Sequence, residues 1–223
     1  MQSVPLAVAG ATETVVVTGS RIDPRQLGDY KLYPLPEPTD LPARETKQVQ
    51  FLDLHAVPFE RVYRYADEYT DGGPARTVLR LRNTVAAGLG KPLPAGDFAV
   101  SEDAPNGAPV FVGQMHVDDT PVGLPVEIEI GETVSVMVQR VEIEHTQTGT
   151  GDKARFKRTL EYAVANNRAE PIAFELWESL ANGEAKVLSE DRPHTEERGA
   201  AIWHIALKPG ERVTVRLRLE TPY

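Results

Sequence analysis

Histidine and carboxylate side chains are the groups in this chain that could hold a metal or move a proton near neutral pH. The segment HVDDTP brings His116, Asp118 and Asp119 within four residues of each other. An imidazole with two carboxylates is a donor set that Zn²⁺ accepts. The same pattern is typical of a strand that ends in a turn. We therefore predict no metal and no cofactor, and keep these three residues as the candidate ligands of an alternative, a metal-dependent hydrolase of the cell envelope.

Other arrangements for catalysis are missing from the sequence. No Gly-x-Ser-x-Gly segment is present, and GTGDKAR lacks the Gly-Lys-Ser/Thr ending of a phosphate loop. The chain has no cysteine, which excludes thiolate nucleophiles and disulfides. Glu127 and Glu129, like Glu142 and Glu144, alternate as solvent-facing strand residues do. We therefore predict that the protein is not an enzyme.

Arginines recur at alternate positions of two predicted strands. They are Arg76, Arg80 and Arg82 in ARTVLRLRN, and Arg212, Arg216 and Arg218 in RVTVRLRLE. Residues so spaced would make cationic stripes of about 7–14 Å, able to meet an anionic glycan, lipid headgroups or an acidic partner. Pairing with neighbouring glutamates explains the same pattern without a ligand.

Composition limits the classes of function. The chain has 223 residues, 41% of them hydrophobic and 26% charged, which suffices for a core and a polar surface. Its net charge of −9 argues against a general nucleic-acid binder. The sequence contains no apolar run of about 18 residues, so we predict no membrane-spanning helix.

Most of the chain reads with the period-two alternation of β-strands. Residues 154–180 also fit a helical spacing, but the alternation around them favours strands. The final segments AAIWHIAL and RVTVRLRLE, joined by Lys208-Pro209-Gly210-Glu211, predict a hairpin. In residues 134–143 five apolar residues change parity, which predicts a β-bulge near Gln139–Arg140 that keeps them all inside.

The predicted fold is all-β, with antiparallel immunoglobulin-like β-sandwich modules. Prolines are dense in residues 23–46 and disfavour a central strand there. We therefore predict an extended N-terminal arm with short strands over residues 1–45. Two sandwich modules are expected to follow, one over residues 46–150 and a smaller one over 151–223.

Several segments after Lys47 carry a resemblance to a known family. They are KQVQFL, RLRNT, GLGKPLPAG, VGQMHVDDTPVG, VEIEIGE, EYAVANNRAEP and a closing W…L.PGE. Together they resemble a bacterial domain of unknown function at the C-terminus of mucoidy-inhibitor-like proteins. The resemblance implies an exported, strand-rich module of the bacterial envelope without established catalytic residues.

The segment ETVVVTG raises a separate hypothesis. Its residues, Glu13, Thr14, Val15, Val16, Val17, Thr18 and Gly19, resemble the TonB box at the N-terminus of TonB-dependent outer-membrane transporters. The roughly 200 residues that follow are too few for a plug and a large barrel, so at most the docking peptide is shared. The resemblance implies an extended strand that pairs with an energy-coupling protein, whereas pairing within the chain would use the same strand.

These observations predict a non-enzymatic interaction module of the bacterial cell envelope. Its sheets would bind a protein or a glycan, or a second copy through edge strands. The expected location is the periplasm, or another extracytoplasmic site, of a Gram-negative bacterium. TonB-type docking through residues 13–19 is the second alternative.

Overall fold

The computed structural model describes residues 4–7, 14–17, 38, 40, 44, 46, 52–66, 71–180 and 183–222. In this part of the chain strands dominate, and a short 3-10 turn lies at Gly151–Lys153. The strands are β1 Val4–Ala7, β2 Thr14–Val17, β3 Phe59–Tyr65, β4 Gly72–Arg82, β5 Gly96–Asp103, β6 Pro109–Val117, β7 Pro125–Thr148, β8 Arg155–Asn166, β9 Ile172–Ser179, β10 Lys186–Glu190, β11 Thr195–Glu197, β12 Ala200–Leu207 and β13 Arg212–Pro222. No helix in the described residues is long and apolar enough to cross a membrane.

Nine strands form one sheet in the order β10-β13-β8-β7-β4-β3-β9-β12-β11. The pair β3–β9 is parallel, and β8 lies antiparallel between β7 and β13. Strands β1 and β2 form one two-stranded antiparallel sheet, and β5 and β6 form another two-stranded sheet.

The nine-stranded sheet folds over on itself. Strands β10 and β12 stand first and eighth in the order, which in a flat sheet would separate them by about 34 Å at about 4.8 Å per strand. Yet Trp203 Nε1 on β12 donates a hydrogen bond to Glu190 Oε2 on β10 at 2.9 Å. The rings of Tyr65 on β3 and Tyr162 on β8 also meet edge to face, 6.3 Å apart. The two halves of the sheet therefore face each other, and the predicted all-β sandwich is confirmed.

Alternate side chains of both halves fill the space between them. The largest fully buried members of this core include Trp203, Tyr162, Phe174, Leu160 and Leu176. Residues 155–166 and 172–179 contribute as β8 and β9, so the segment that also fitted a helix is made of strands. On β13, Val215, Leu217 and Leu219 are buried, and Val213 packs against them.

The division expected at residue 150 lies in the connection of a hairpin. Strands β7 and β8 pair from Val136↔Asn166 to Thr148↔Arg155, so residues 46–150 and 151–223 contribute neighbouring strands to one sheet. The compact unit that contains this sheet comprises Phe59–Leu81, Asp97–Val117 and Pro125–Tyr223. Long antiparallel pairing between the two segments is the physical reason that they do not separate at this point.

Two predicted details of strand pairing are wrong. The bulge lies at Ile143, between Glu142 and Glu144, rather than near Gln139–Arg140. Arg140 therefore keeps the parity of Val136 and Val138 and is buried, whereas Val134, Val141 and Ile143 are exposed. Arg140 is tolerated inside because its Nε donates to Tyr162 Oη at 3.0 Å.

The second detail is the C-terminal hairpin. A tight turn does join β12 to β13, with the Glu211 N–H donating to Lys208 O at 3.1 Å and Gly210 at φ +70°. However, β12 pairs with β9 and β11, and β13 pairs with β8 and β10. The turn thus passes from one half of the sandwich to the other. The core-facing residues of β12 and β13 therefore meet across one core instead of lying side by side in a hairpin.

The other compact unit comprises Met1–Pro58, Arg82–Gly96 and Asp118–Leu124. Within it, the fully buried Asn83 joins the last two segments. Its Nδ2 donates to the carbonyls of Lys91, Thr120 and Pro121 at 2.9, 3.3 and 3.2 Å. A bridge between Leu93 and Thr120 completes the contact.

Candidate functional site

The three candidate metal ligands are engaged separately. His116 on β6 is exposed, and its Nδ1 lies 2.9 Å from Asp97 Oδ1. Asp119 Oδ1 accepts the Ala95 N–H at 2.9 Å, and the Asp118 carbonyl accepts the Thr120 hydroxyl. Across the described residues no group of three or more His, Asp or Glu side chains could hold a metal ion. The hydrolase alternative therefore has no ligand set in this part of the chain.

The candidate docking strand is partly described. Thr14–Val17 forms β2 and pairs antiparallel with Val4–Ala7, in the register Val4↔Val17 to Ala7↔Thr14. Glu13, Thr18 and Gly19 lie outside the described residues. One edge of the strand is thus occupied by a segment of the same chain.

The candidate arginine stripes are largely paired with carboxylates. Arg76 lies 2.9 Å from Glu129, and Arg80 contacts Glu127 and Glu175. On β13, Arg216 lies 2.6 Å from Glu161 and Arg218 3.8 Å from Glu144. Arg82 and Arg212 are exposed and form no ion pair with any residue that the structure describes.

A cluster of four charged residues, which we call the charge cluster, lies on the outward side of β3, β4 and β9. Its members are Arg64, Arg80, Glu127 and Glu175. Arg64 Nη2 lies 3.0 Å from Glu127 Oε1 and 3.1 Å from Glu175 Oε2. Arg80 makes the same two contacts at 2.8 and 2.9 Å. Each arginine thus bridges both glutamates, and their side chains are only 3–26% exposed.

Strand register places these side chains together. Arg64 is directly opposite Glu175 in the parallel β3–β9 pair, and Glu60 is opposite Arg80 in β3–β4. Glu127 comes from the first part of β7, where Val126 and Ile128 on either side are buried. Strand β6 comes close to this part of β7 at Gly113, where a Cβ atom would clash with the Ile130 carbonyl oxygen. This backbone approach therefore requires glycine.

Both glutamates of the charge cluster are held in the ionised form. Burial alone would raise the pKa of Glu175, but hydrogen bonds from Trp177 and Arg80 and the charges of Arg80 and Arg64 outweigh it and lower that pKa. Burial likewise opposes ionisation of Glu127, whereas Arg64 and Arg80 bring its pKa below the ordinary value. Although burial lowers the pKa of Arg80, its bonds to both glutamates produce a net rise.

Aromatic and polar side chains surround the charge cluster. Trp177 Nε1 donates to Glu175 Oε2 at 3.0 Å, and the guanidinium of Arg64 lies 4.1 Å above the indole ring. His204 is exposed, and its Nδ1 lies 3.5 Å from Glu175 Oε1. Arg198, at φ +52° in the β11–β12 turn, reaches Glu127 at 3.5 Å. These contacts tie β11 and β12 to the same carboxylates.

This geometry suits anchoring better than acid–base catalysis. A glutamate that acts as a general acid near neutral pH needs a raised pKa, and both glutamates have lowered ones. The sequence interpretation of Glu127 as an ordinary solvent-facing residue is wrong. The alternation of Arg64, Arg80 and Glu175 shows the face on which each lies. It does not show that strands distant in sequence place these residues side by side.

The outward side of β7, β8 and β13 has a different character, and we call it the open face. Cross-strand pairing aligns Met137, Ala165 and Arg212 in one row. A second row holds Val141, Glu161 and Arg216. Met137 and Val141 are 37% and 46% exposed, and Gln139 lies between them. The open face thus carries an outward row on β7 with two exposed apolar side chains, and an arginine row on β13, roughly 10 Å apart.

Searches of family models, curated proteins and solved structures found no match to the chain.

Proposed function

We propose that the protein is a non-enzymatic interaction module of the bacterial cell envelope that binds a protein partner through the open face. The observation that carries the proposal is the outward row of β7, in which Met137 and Val141 leave large apolar side chains exposed on either side of Gln139. The buried residues Val136 and Val138 alternate with this row, so the apolar side chains have no place in the protein's own core. A partner that covered them would gain about 25 cal/mol for each Å² of apolar surface.

The arginine row of β13 favours a partner with carboxylates. Arg212 is exposed and has no carboxylate partner among the described residues, and Arg216 and Arg218 remain partly exposed beside theirs. The small Ala163 and Ala165 of β8 lie between the two rows. A partner could therefore approach the backbone of β8 while its apolar residues meet β7 and its acidic residues meet β13. Charged groups at the rim of an interface mainly fix orientation and specificity.

Two further observations support this function. The two glutamates of the charge cluster are engaged by arginines that lower the glutamate pKa values, which suits a structural role rather than turnover. The resemblance of the chain from Lys47 onward to an envelope domain supports an exported, periplasmic location.

Site-specific photocross-linking in the source bacterium tests the proposal. A photoreactive residue at Val141 should give one discrete protein adduct, and one at Val134 should not. Val134 is a suitable control because it is an exposed valine of the same strand that precedes the β7–β8 pairing. Loss of the adduct in Arg212→Glu would support an acidic partner. An adduct that glycosidases degrade would show that the partner is a glycan and not a protein. No adduct from Met137 or Val141 would overturn the proposal.

A further inference from the structure

The core-facing row of β8 ends in a residue of unexpected type. Val164, Tyr162 and Leu160 are completely buried, and the next residue of the same parity is Arg158. Arg158 is aligned with Leu219 of β13 on one side and with His145 of β7 on the other. An arginine therefore occupies the position at which the alternation would place another apolar side chain.

A cavity of about 230 Å³ lies at this end of the sandwich. Its lining residues come from three neighbouring strands: His145, Phe156, Arg158, Thr221 and Pro222. The rings of His145 and Phe156 are 5.3 Å apart, and His145 Nδ1 lies 2.9 Å from Glu142 Oε1. The cavity thus combines an aromatic wall, a hydroxyl group and a guanidinium.

Arg158 has no counter-ion in the described part of the chain. Its Nε is inaccessible to solvent and has no hydrogen-bond acceptor among the described residues, although the side chain as a whole is only half-buried. The protein carries nine more negative than positive charges, and Arg64, Arg80 and Arg216 each have a carboxylate partner. Arg158 therefore brings to the cavity a positive charge that no carboxylate of the described residues neutralises, and an anion that entered the cavity would be attracted to it.

We infer that this cavity binds a small monocarboxylate with an apolar body. The guanidinium fork of Arg158 matches two carboxylate oxygens, and such bidentate pairs are among the strongest hydrogen bonds in proteins. The Thr221 hydroxyl supplies a further donor, while Phe156 and Pro222 cover the apolar part. The volume is below that of pockets for drug-sized ligands, which limits the ligand to about the size of one ring. This site faces away from the open face and does not depend on the function proposed above.

Calorimetric titration of the whole protein with sodium benzoate tests the inference, with benzamide as the neutral probe of the same shape. Benzoate should bind saturably at one site, about tenfold or more tighter than benzamide, because charge-assisted bonds are lost with the amide. Arg158→Gln should weaken benzoate binding about tenfold, and Thr221→Val should weaken it by a smaller factor. Arg212→Gln is the matched control, since it removes an exposed arginine from the other side of the same strands. It should leave benzoate affinity unchanged.

A loss of benzoate affinity in Arg158→Gln can be distinguished from a loss of folding. Arg158→Gln removes an uncompensated charge, so its thermal transition should lie at or above that of the wild type. Benzoate should then raise the Tm of the wild type and of Arg212→Gln but not of Arg158→Gln. Equal binding of benzoate and benzamide, or equal loss of affinity in the two arginine variants, would overturn the inference. No saturable binding of benzoate to the wild type would overturn it as well.

Discussion

The charge cluster and the open face lie on the outward sides of the two halves of one sandwich, yet they use the same residue types differently. In the charge cluster two arginines each bridge two glutamates, and the Glu175 side chain is 3% exposed. On the open face Arg216 and Glu161 form a single pair whose side chains are 60% and 32% exposed. The difference is one of solvation, because water screens the second pair and is largely excluded from the first.

The comparison indicates which contacts hold the fold and which are available to a partner. Exposed ion pairs contribute about 0–1 kcal/mol to stability. Removing one member of a buried pair leaves the other charge uncompensated and costs about 3–5 kcal/mol. Residues of the charge cluster come from β3, β4, β7 and β9, so the cluster fixes four strands relative to one another. The open face instead keeps its arginines and apolar side chains accessible.

The largest expected effect is that of Glu175→Gln. The substitution leaves Arg64 and Arg80 with Glu127 alone, so the free energy of unfolding should fall by about 3–5 kcal/mol. For a chain of this size that corresponds to a drop in Tm of roughly 10 °C. Urea and thermal denaturation measure it. Glu161→Gln on the open face is the matched control, with an expected loss of about 0–1 kcal/mol. Equal losses in the two variants would contradict the distinction between the faces.

The pH dependence of stability should have the same origin. The pKa values of Glu127 and Glu175 are lowered from an ordinary value of 4.5, so the unfolded chain binds more protons than the folded protein near that pH. The stability they contribute is present above pH 4.5 and is lost as the pH falls through their folded pKa values. Denaturation profiles between pH 7 and pH 3 should therefore be flatter for Glu175→Gln than for the wild type. A profile unchanged by Glu175→Gln would show that other carboxylates cause the loss.

A smaller effect is expected from Trp177→Phe. Phenylalanine keeps an aromatic face beneath Arg64 but cannot donate to Glu175, and hydrogen bonds to charged groups contribute about 1.5–3 kcal/mol. Trp177→Leu removes the cation–π contact as well and should lower the free energy of unfolding by a further ~0.5–2 kcal/mol. Urea denaturation of the two variants separates the contributions. If both variants were as stable as the wild type, Trp177 would have no part in holding the charge cluster.

Alternation along the chain was sufficient to predict the class of fold but not the partners of each strand. Alternate apolar residues of β8, β9 and β13 are buried, because burial of one face has a period of two in any sheet. Alternation failed for the β12–β13 connection, since a tight turn is compatible with a hairpin and with a passage between the halves of a sandwich. Only the tertiary pairing distinguishes them.

The charge cluster could not be predicted from the sequence for a related reason. Arg64 and Glu175 are 111 residues apart and meet through the parallel β3–β9 pair, for which no local turn provides a signal. Alternation predicts that the arginines of β4 and β13 face outward, but it does not distinguish their environments. Arg80 lies against the partly buried Glu127, whereas Arg216 remains exposed beside Glu161. Depth of burial depends on what covers each face, and the pattern of one strand does not contain that information.

The smallest effect on stability, and the largest on binding, is expected from Val141→Ser. Val141 is exposed, so its replacement should change the free energy of unfolding by no more than about 0.5 kcal/mol. In an interface the same side chain would be covered, and a few covered apolar residues commonly contribute most of the affinity. Cross-linking from Met137 should therefore weaken in Val141→Ser while the denaturation curve is unchanged.

Val134→Ser, which alters an exposed valine outside the open face, should affect neither measurement. Glu175→Gln should instead lower stability and leave the cross-link intact. A loss of stability in Val141→Ser, or an undiminished cross-link in that variant, would contradict the distinction between a face that holds the fold and a face that binds.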